Sequence, residues 1–216
     1  MKKLVSFFAV AIVSAAMMFA NGELNVRGFG QFVNFSDAKL VGNYESKVDL
    51  MNFGLEVEGN LWFVHPWIMD IGLSTAVDLG FGTASNKVTV LGNSVSSSEP
   101  DFEFGFTIAP AVQFNLNEKH SIFVAPGIRF PLTITKYEVS FGNTKSSGEK
   151  YLFYPEFTLD IGYKFWFTNF LGINAGYELG IPLTLMEGGN KVETASAFSN
   201  KFYIGVALNL GKRNAQ

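Results

Sequence analysis

From residue 24 onward the chain alternates large apolar side chains with small or polar ones, and its charges keep to one side of that alternation. Between Met69 and Phe81, Met69, Ile71, Leu73, Val77, Leu79 and Phe81 share one face of an extended chain, while Asp70, Gly72, Ser74, Ala76, Asp78 and Gly80 share the other. Successive side chains of a β-strand point to opposite faces, so this period of two reads as strand. Near the C-terminus, Phe202, Ile204, Val206, Leu208 and Leu210 alternate in the same way with Tyr203, Gly205, Ala207, Asn209 and Gly211. No helical period competes after residue 20, and Pro110, Pro126, Pro131, Pro155 and Pro182, with 22 glycines, oppose long helices.

The same template places eight strands at 24–35, 48–63, 67–81, 102–116, 122–137, 152–167, 170–185 and 201–210. In strands two to eight, Glu56, Glu58, Asp70, Asp78, Glu103, Arg129, Glu156, Asp160, Lys164 and Glu178 all fall on the face that carries the glycines, alanines and serines. A soluble barrel or sandwich turns its bulky apolar face inward. About six bulky side chains per strand would overfill the lumen of a narrow barrel, whereas lipid accepts them outside. The parity therefore predicts an all-β fold: an eight-stranded antiparallel up-and-down transmembrane β-barrel with its charges in the lumen. Strand one is less regular. Arg27, Phe29, Gln31 and Val33 share one parity and Gly28 and Gly30 the other, which a bulge at the glycine pair would reconcile by switching faces.

The connections alternate in length. Segments 63–66, 117–121 and 168–169 are short, whereas 36–47, 82–101, 138–150 and 186–200 are long and rich in Gly, Ser, Asn and Lys. Periplasmic turns and extracellular loops alternate in this way, which puts both termini in the periplasm. Trp62, Trp67 and Trp166, the only tryptophans, cluster at two of the short turns, where a periplasmic aromatic girdle is expected. Phe81, Phe102, Phe104, Tyr137, Tyr151, Phe153 and Phe202 would form the outer girdle.

Ahead of the strands, Lys2 and Lys3 precede an apolar stretch that ends at Ala20, the pattern of a cleavable signal peptide. The expected division is a signal peptide over 1–20, cleaved near Ala20, and one barrel domain over 21–216. Met18 departs from the small-residue preference at such sites, and an uncleaved membrane anchor is the alternative. Removing Lys2 and Lys3 leaves 14 basic against 19 acidic residues, a formal charge of −5. A mildly acidic chain with no basic block gives no reason to expect nucleic acid. The absence of cysteine excludes disulfides, a thiol nucleophile, a cysteine metal site and a lipid-modified cysteine.

Signal peptide, eight alternating strands, three short turns and four longer connections together resemble the small outer-membrane barrels of the OmpA, OmpX and OmpW class. The resemblance covers the whole mature chain and rests on architecture, not on a diagnostic motif. It implies a monomer in the bacterial outer membrane, with membrane lipids and the outer-membrane assembly machinery as partners and no cofactor. Such proteins usually end on an aromatic residue that the assembly machinery reads, and this sequence ends Lys212-Arg213-Asn214-Ala215-Gln216.

An eight-stranded lumen can be filled by side chains, which disfavours a wide porin channel. The inward charges then read as a structural network, or as a narrow water or cation path, because eight acids outnumber two bases, or three if Arg27 points inward. His65 and His120 both fall in short turns, away from any outer-face serine, which opposes a hydrolase or acyltransferase; no metal site stands out. Counted from the turns, Pro110 lies level with Pro126 and Pro155 with Pro182. Each proline removes a ladder hydrogen bond, so these pairs either curve the strands or form lateral openings. Inward residues toward the loops (Val48, Leu50, Pro131, Tyr137, Leu152, Tyr154, Pro182 and Tyr203) are less polar than those toward the turns. Two functions follow: a filled barrel acting structurally or in surface interaction, with host or surface ligands met by four extracellular loops, or an OmpW-like conduit for small hydrophobic molecules with lateral release. Ser94 to Ser98, Ser146-Ser147 and Gly188-Gly189 read as solvated loop tips.

Overall fold

The computed structural model describes residues 22–40, 44–90, 93–141, 144–192 and 196–211. The expected signal peptide and the last five residues lie outside them. The strands are β1 (Gly22–Leu40), β2 (Tyr44–Val64), β3 (Met69–Val90), β4 (Asn93–Asn115), β5 (His120–Arg129), β6 (Leu132–Phe141), β7 (Thr144–Phe153), β8 (Glu156–Trp166), β9 (Leu171–Pro182), β10 (Leu185–Glu187), β11 (Asn190–Val192) and β12 (Ser196–Asn209).

Antiparallel pairing runs β1–β2–β3–β4–β5–β8–β9–β12 and back to β1, which closes a ring of eight. Closure leaves the ring no free edge. Its outer surface is apolar: Leu55 is 65% exposed, Phe81 64% and Ile204 67%. The charged parity faces inward and is buried.

Three walls are interrupted at one height. β5 and β6 form one wall broken at Phe130 and Pro131, β8 and β7 another broken at Tyr154 and Pro155, and β9 and β10 a third broken at Leu183 and Thr184. The pairs Arg129↔Glu156, Leu132↔Phe153 and Glu156↔Pro182 put these breaks level with one another. Pro131, Pro155 and Pro182 have no N–H to give the ladder, which is why it stops there. Single bonds carry the wall across: Phe130 N donates to Phe106 O at 2.8 Å and Leu183 N to Pro155 O at 2.8 Å. Past the break β10 pairs with β7 one residue out of step, Met186 facing Phe153. A slip of one exchanges the faces. Leu185 accordingly points inward and is buried, although Ile181 and Leu183 point outward.

Strand one needs no switch of face. The β1–β2 register runs unshifted from Gly22 to Phe35, with its only irregularity between Phe35 and Ala38. Glu23, Asn25, Arg27, Phe29, Gln31, Val33 and Phe35 all point inward and are buried. The expected bulge at Gly28 and Gly30 is therefore corrected. Phe29 is accommodated because Gly54 and Gly80 leave room beside its ring.

Much of what reads as loop is strand. β3 and β4 pair as far as Val90↔Asn93, so Ser94 to Ser98 lie in a hairpin whose arms are 22 and 23 residues long. Crossing a bilayer takes only about 9–11 residues per strand, so these arms project well beyond it. Ser146 and Ser147 belong to β7, and the expected loop at 36–47 is mostly β1 and β2. Ser, Asn and Lys show no apolar period, but backbone pairing does not require one. Gly188 and Gly189, at φ 56° and 88°, make the β10–β11 turn in the left-handed region that favours glycine.

Candidate functional site

Among the described residues the lumen is where ionisable side chains concentrate, and inward parity delivers them. Glu56 and Glu58 from β2, Asp78 from β3, Glu103 from β4, Arg129 from β5, Glu156, Asp160 and Lys164 from β8, and Glu178 from β9 are all buried inside the ring. Arg27 of β1 joins them, as do Glu23, Asp101 and Lys201, which the sequence reading passed over. Those three stand at the ends of the alternating stretches, yet each keeps the inward parity of its strand.

Shared carboxylates link three of the bases, Arg27, Lys201 and Arg129, into one chain. Arg27 grips Glu58 with two nitrogens at 2.5 and 2.8 Å and reaches Glu56 at 3.0 Å and Asp160 at 3.3 Å. Glu56 also bonds Lys201, whose Nζ lies 3.6 Å from Asp78. Asp78 in turn binds Arg129 at 2.6 Å, and Arg129 meets Glu103 at 2.6 Å and Glu156 at 2.9 Å. Lys164 forms a separate pair with Glu23 and a bond to Gln113 Oε1 at 2.8 Å. Burying charge is costly unless it is paired and hydrogen-bonded. Neutral donors complete the shells: Tyr203 donates to Asp160 at 2.6 Å, Ser199 to Glu156 at 2.5 Å, and Tyr154 to Glu103.

Aromatic rings shield the cations. Arg27 lies 4.0 Å over the Tyr203 ring, Lys164 4.9 Å over Phe123, and Lys201 4.8 Å over Phe29. Tyr203 fits because Gly162 and Gly176, paired across β8 and β9, leave its hydroxyl the space a Cβ would take.

Toward the loops the lumen changes character. Val33, Phe35, Val48, Leu50, Ala84, Leu152, Tyr154, Leu185 and Val192 form a single apolar cluster. Val48, Leu50, Leu152 and Tyr154 were expected on this less polar side. Tyr203 stands instead at the level of Arg27, and the side chain of Tyr137 lies outside the described residues. Pro131 points inward and is buried, and Pro182 is half-buried at the break.

Several expected site residues are placed elsewhere. Asp70 keeps inward parity but sits at the turn-end mouth, bonded to His65 Nδ1 at 2.7 Å and Asn115 Nδ2 at 2.6 Å, apart from the ionic chain. Trp62 and Trp166 are not in a girdle: both point into the barrel and are buried, Trp62 against Phe123, Ala109, Ala111 and Ala125. They share the parity of Glu58 and Lys164, which overrides the preference of tryptophan for a membrane interface. Only Trp67 is exposed, at 89%. The outward aromatics at the turns are Phe63, Tyr163, Phe167 and Phe170 with Trp67. His120 bonds Tyr163 at the same end.

The prolines act on two different seams. Pro110 and Pro126 face outward, and between them the β4–β5 ladder lapses from Ile108↔Ile128 to Val112↔Val124. At Pro155 and Pro182 the β8–β9 seam stays bridged by the Leu183 N to Pro155 O bond. The neighbouring seam is the one that ends early: β9–β12 pairing stops at Gly180↔Ser199, while β12 continues to Ser196 against β1.

Among the described residues no three acidic or histidine side chains converge closely enough to hold a metal ion by themselves. A cavity of about 10 Å³, room for one water, lies among Glu58, Asp160, Glu178, Thr107 and Thr158.

Solved structures share this architecture. Neisserial surface protein A aligns at a TM-score of 0.52 and 11% identity, covering 87% of this chain and 96% of its own. The outer-membrane protein OprG of Pseudomonas aeruginosa aligns at 0.56 and 12% identity, covering 88% and 95%. No protein-family model matches the sequence, and no curated protein matches it either. The chain has the closed eight-stranded fold of small outer-membrane β-barrels.

Proposed function

We propose that the chain is a bacterial outer-membrane β-barrel with a filled lumen, acting structurally or in surface interaction through the hairpins of its loop end. The observation that carries this reading is the filling: the ionic chain occupies the turn half and the apolar cluster the loop half. A lumen closed by both leaves the protruding hairpins as the working part. On this reading residues 1–20 are a signal peptide cleaved near Ala20, the turns and termini face the periplasm, and the barrel is a monomer in contact with outer-membrane lipids. It is inserted by the assembly machinery, needs no cofactor and performs no catalysis. Host or surface ligands would meet the hairpins.

Planar-bilayer recording is the test. The filled lumen should give no steady conductance, whereas a stable open channel would remove the reading. Protease added to intact cells should cut only in the four loop-end connections, and cleavage at 117–120 would overturn the topology. Mass spectrometry of the mature protein should begin at Asn21.

A second reading, a conduit for small hydrophobic molecules with lateral release, is favoured by one observation. Where the β9–β12 ladder ends above Gly180, the apolar cluster lies alongside. Pro110, Pro126, Pro155 and Pro182 would set the openings on this reading. Uptake of a small hydrophobic substrate should then fall in the Pro155→Ala/Pro182→Ala variant. Unchanged uptake would eliminate the conduit.

A further inference from the structure

The described lumen buries nine acids (Glu23, Glu56, Glu58, Asp78, Asp101, Glu103, Glu156, Asp160 and Glu178) against four bases (Arg27, Arg129, Lys164 and Lys201). Around Glu178 the surplus meets little compensation. Its nearest cation, Lys201 Nζ, stands 3.9 Å away, and the residue directly opposite it on β8 is another carboxylate, Asp160. The water-sized cavity opens in front of this pair. Two further residues on its wall, Thr107 and Thr158, are 7% and 1% exposed, and their hydroxyl oxygens are buried with no hydrogen-bond partner. Buried polar atoms are rarely left without a partner.

The wall beside the cavity is also short of ladder bonds. Ala109 and Ala125 line it, and they lie within the stretch where the β4–β5 ladder lapses. Pro110 and Pro126 bring no N–H to that stretch, so its carbonyls outnumber its donors. Hydroxyl oxygens and carboxylates in a space for one small particle are the donor set of a hard cation. A single water would partner the two hydroxyls but leave the negative surplus as it stands. A divalent ion would require more converging carboxylates than the site brings together.

We propose that this cavity binds one small alkali cation, of the sodium class, between the hydroxyl oxygens of Thr107 and Thr158 and the carboxylates of Asp160 and Glu178. The site is independent of what the loop end binds, since it lies wholly in the turn half.

The mature barrel, refolded in detergent, tests this by its thermal unfolding midpoint in sodium chloride against choline chloride at equal ionic strength. The midpoint should rise with sodium, by on the order of 4 °C per tenfold increase once the site is near saturation. Thr158→Val keeps the volume, removes one ligand oxygen and should abolish the dependence. Equal midpoints in the two salts, or the same sodium dependence in Thr158→Val, would overturn the proposal. Should Thr158→Val not fold, crystals of the unmodified barrel soaked in a thallium(I) salt decide the matter. An anomalous peak between Thr107, Thr158 and Glu178 supports the site, and its absence, or water alone there, overturns it.

Discussion

The two halves of the lumen fill the same kind of space by opposite means. On the turn side, Arg27, Lys201 and Arg129 are threaded through shared carboxylates, and each bond depends on a particular distance and direction. On the loop side the cluster from Val33 to Val192 is apolar, and its edge-on contact of Phe35 with Tyr154, 5.2 Å between ring centres, is representative. The wall differs in step. Around the ionic chain the ladders between β1, β2, β3 and β12 run unbroken, whereas three walls on the far side break at Pro131, Pro155 and Pro182 just where the apolar cluster begins. Directional ion pairs need a wall that fixes register, as the ladders of β1, β2, β3 and β12 do. Hydrophobic contact is non-directional and tolerates a one-residue slip such as that between β9 and β10. Tyr154 joins the halves, its ring in the apolar cluster and its hydroxyl on Glu103.

Perturbing each half separately measures that contrast. Arg129→Met should cost the most, about 4 kcal/mol, because it leaves Asp78, Glu103 and Glu156 buried without their shared base. Urea unfolding from lipid vesicles reads it directly, and a loss below about 1 kcal/mol would mean that the ionic chain is not what holds the turn half. Leu50→Ala removes a fully buried side chain from the other half and should cost about 3 kcal/mol, with no dependence on salt. Tyr154→Phe should cost about 2 kcal/mol by stripping Glu103 of a donor. In double-mutant cycles Tyr154→Phe should couple to Glu103→Gln and Tyr154→Ala to Leu50→Ala; coupling in one cycle alone would assign the residue to that half. The smallest effect belongs outside both halves. Trp67 sits in the β2–β3 turn at φ 53°, and Trp67→Gly should leave stability within about 1 kcal/mol of the parent, since relief of the backbone offsets loss of an interfacial ring.

The barrel was legible in the sequence because lipid on one side and a narrow lumen on the other write opposite demands onto alternate residues. The same parity already placed Trp62 with Glu58 and Trp166 with Lys164. Treating tryptophan as an interface marker hid this, and the structure restores it. Lys201, Glu23 and Asp101 were missed for a related reason. Each stands at the edge of the stretch that the apolar alternation marks out, where the pattern gives way to Ser, Asn and Gly. The level break across three walls could not be read at all. Pro131, Pro155 and Pro182 are plain in the chain, but their common height exists only once the strands are in register. The Ser-rich arms of β3 and β4 read as loop because hydrogen bonding between backbones leaves no mark on side-chain pattern.

The ring that β1 and β12 close has a consequence for how the protein reaches its membrane. These are the first and last strands of the described residues, and Arg27 and Lys201, one on each, both bind Glu56. Before the two ends meet, an inserted open sheet would turn those charges and the carboxylates around them toward hydrocarbon. Joining the two ends is therefore what screens these charges from the bilayer.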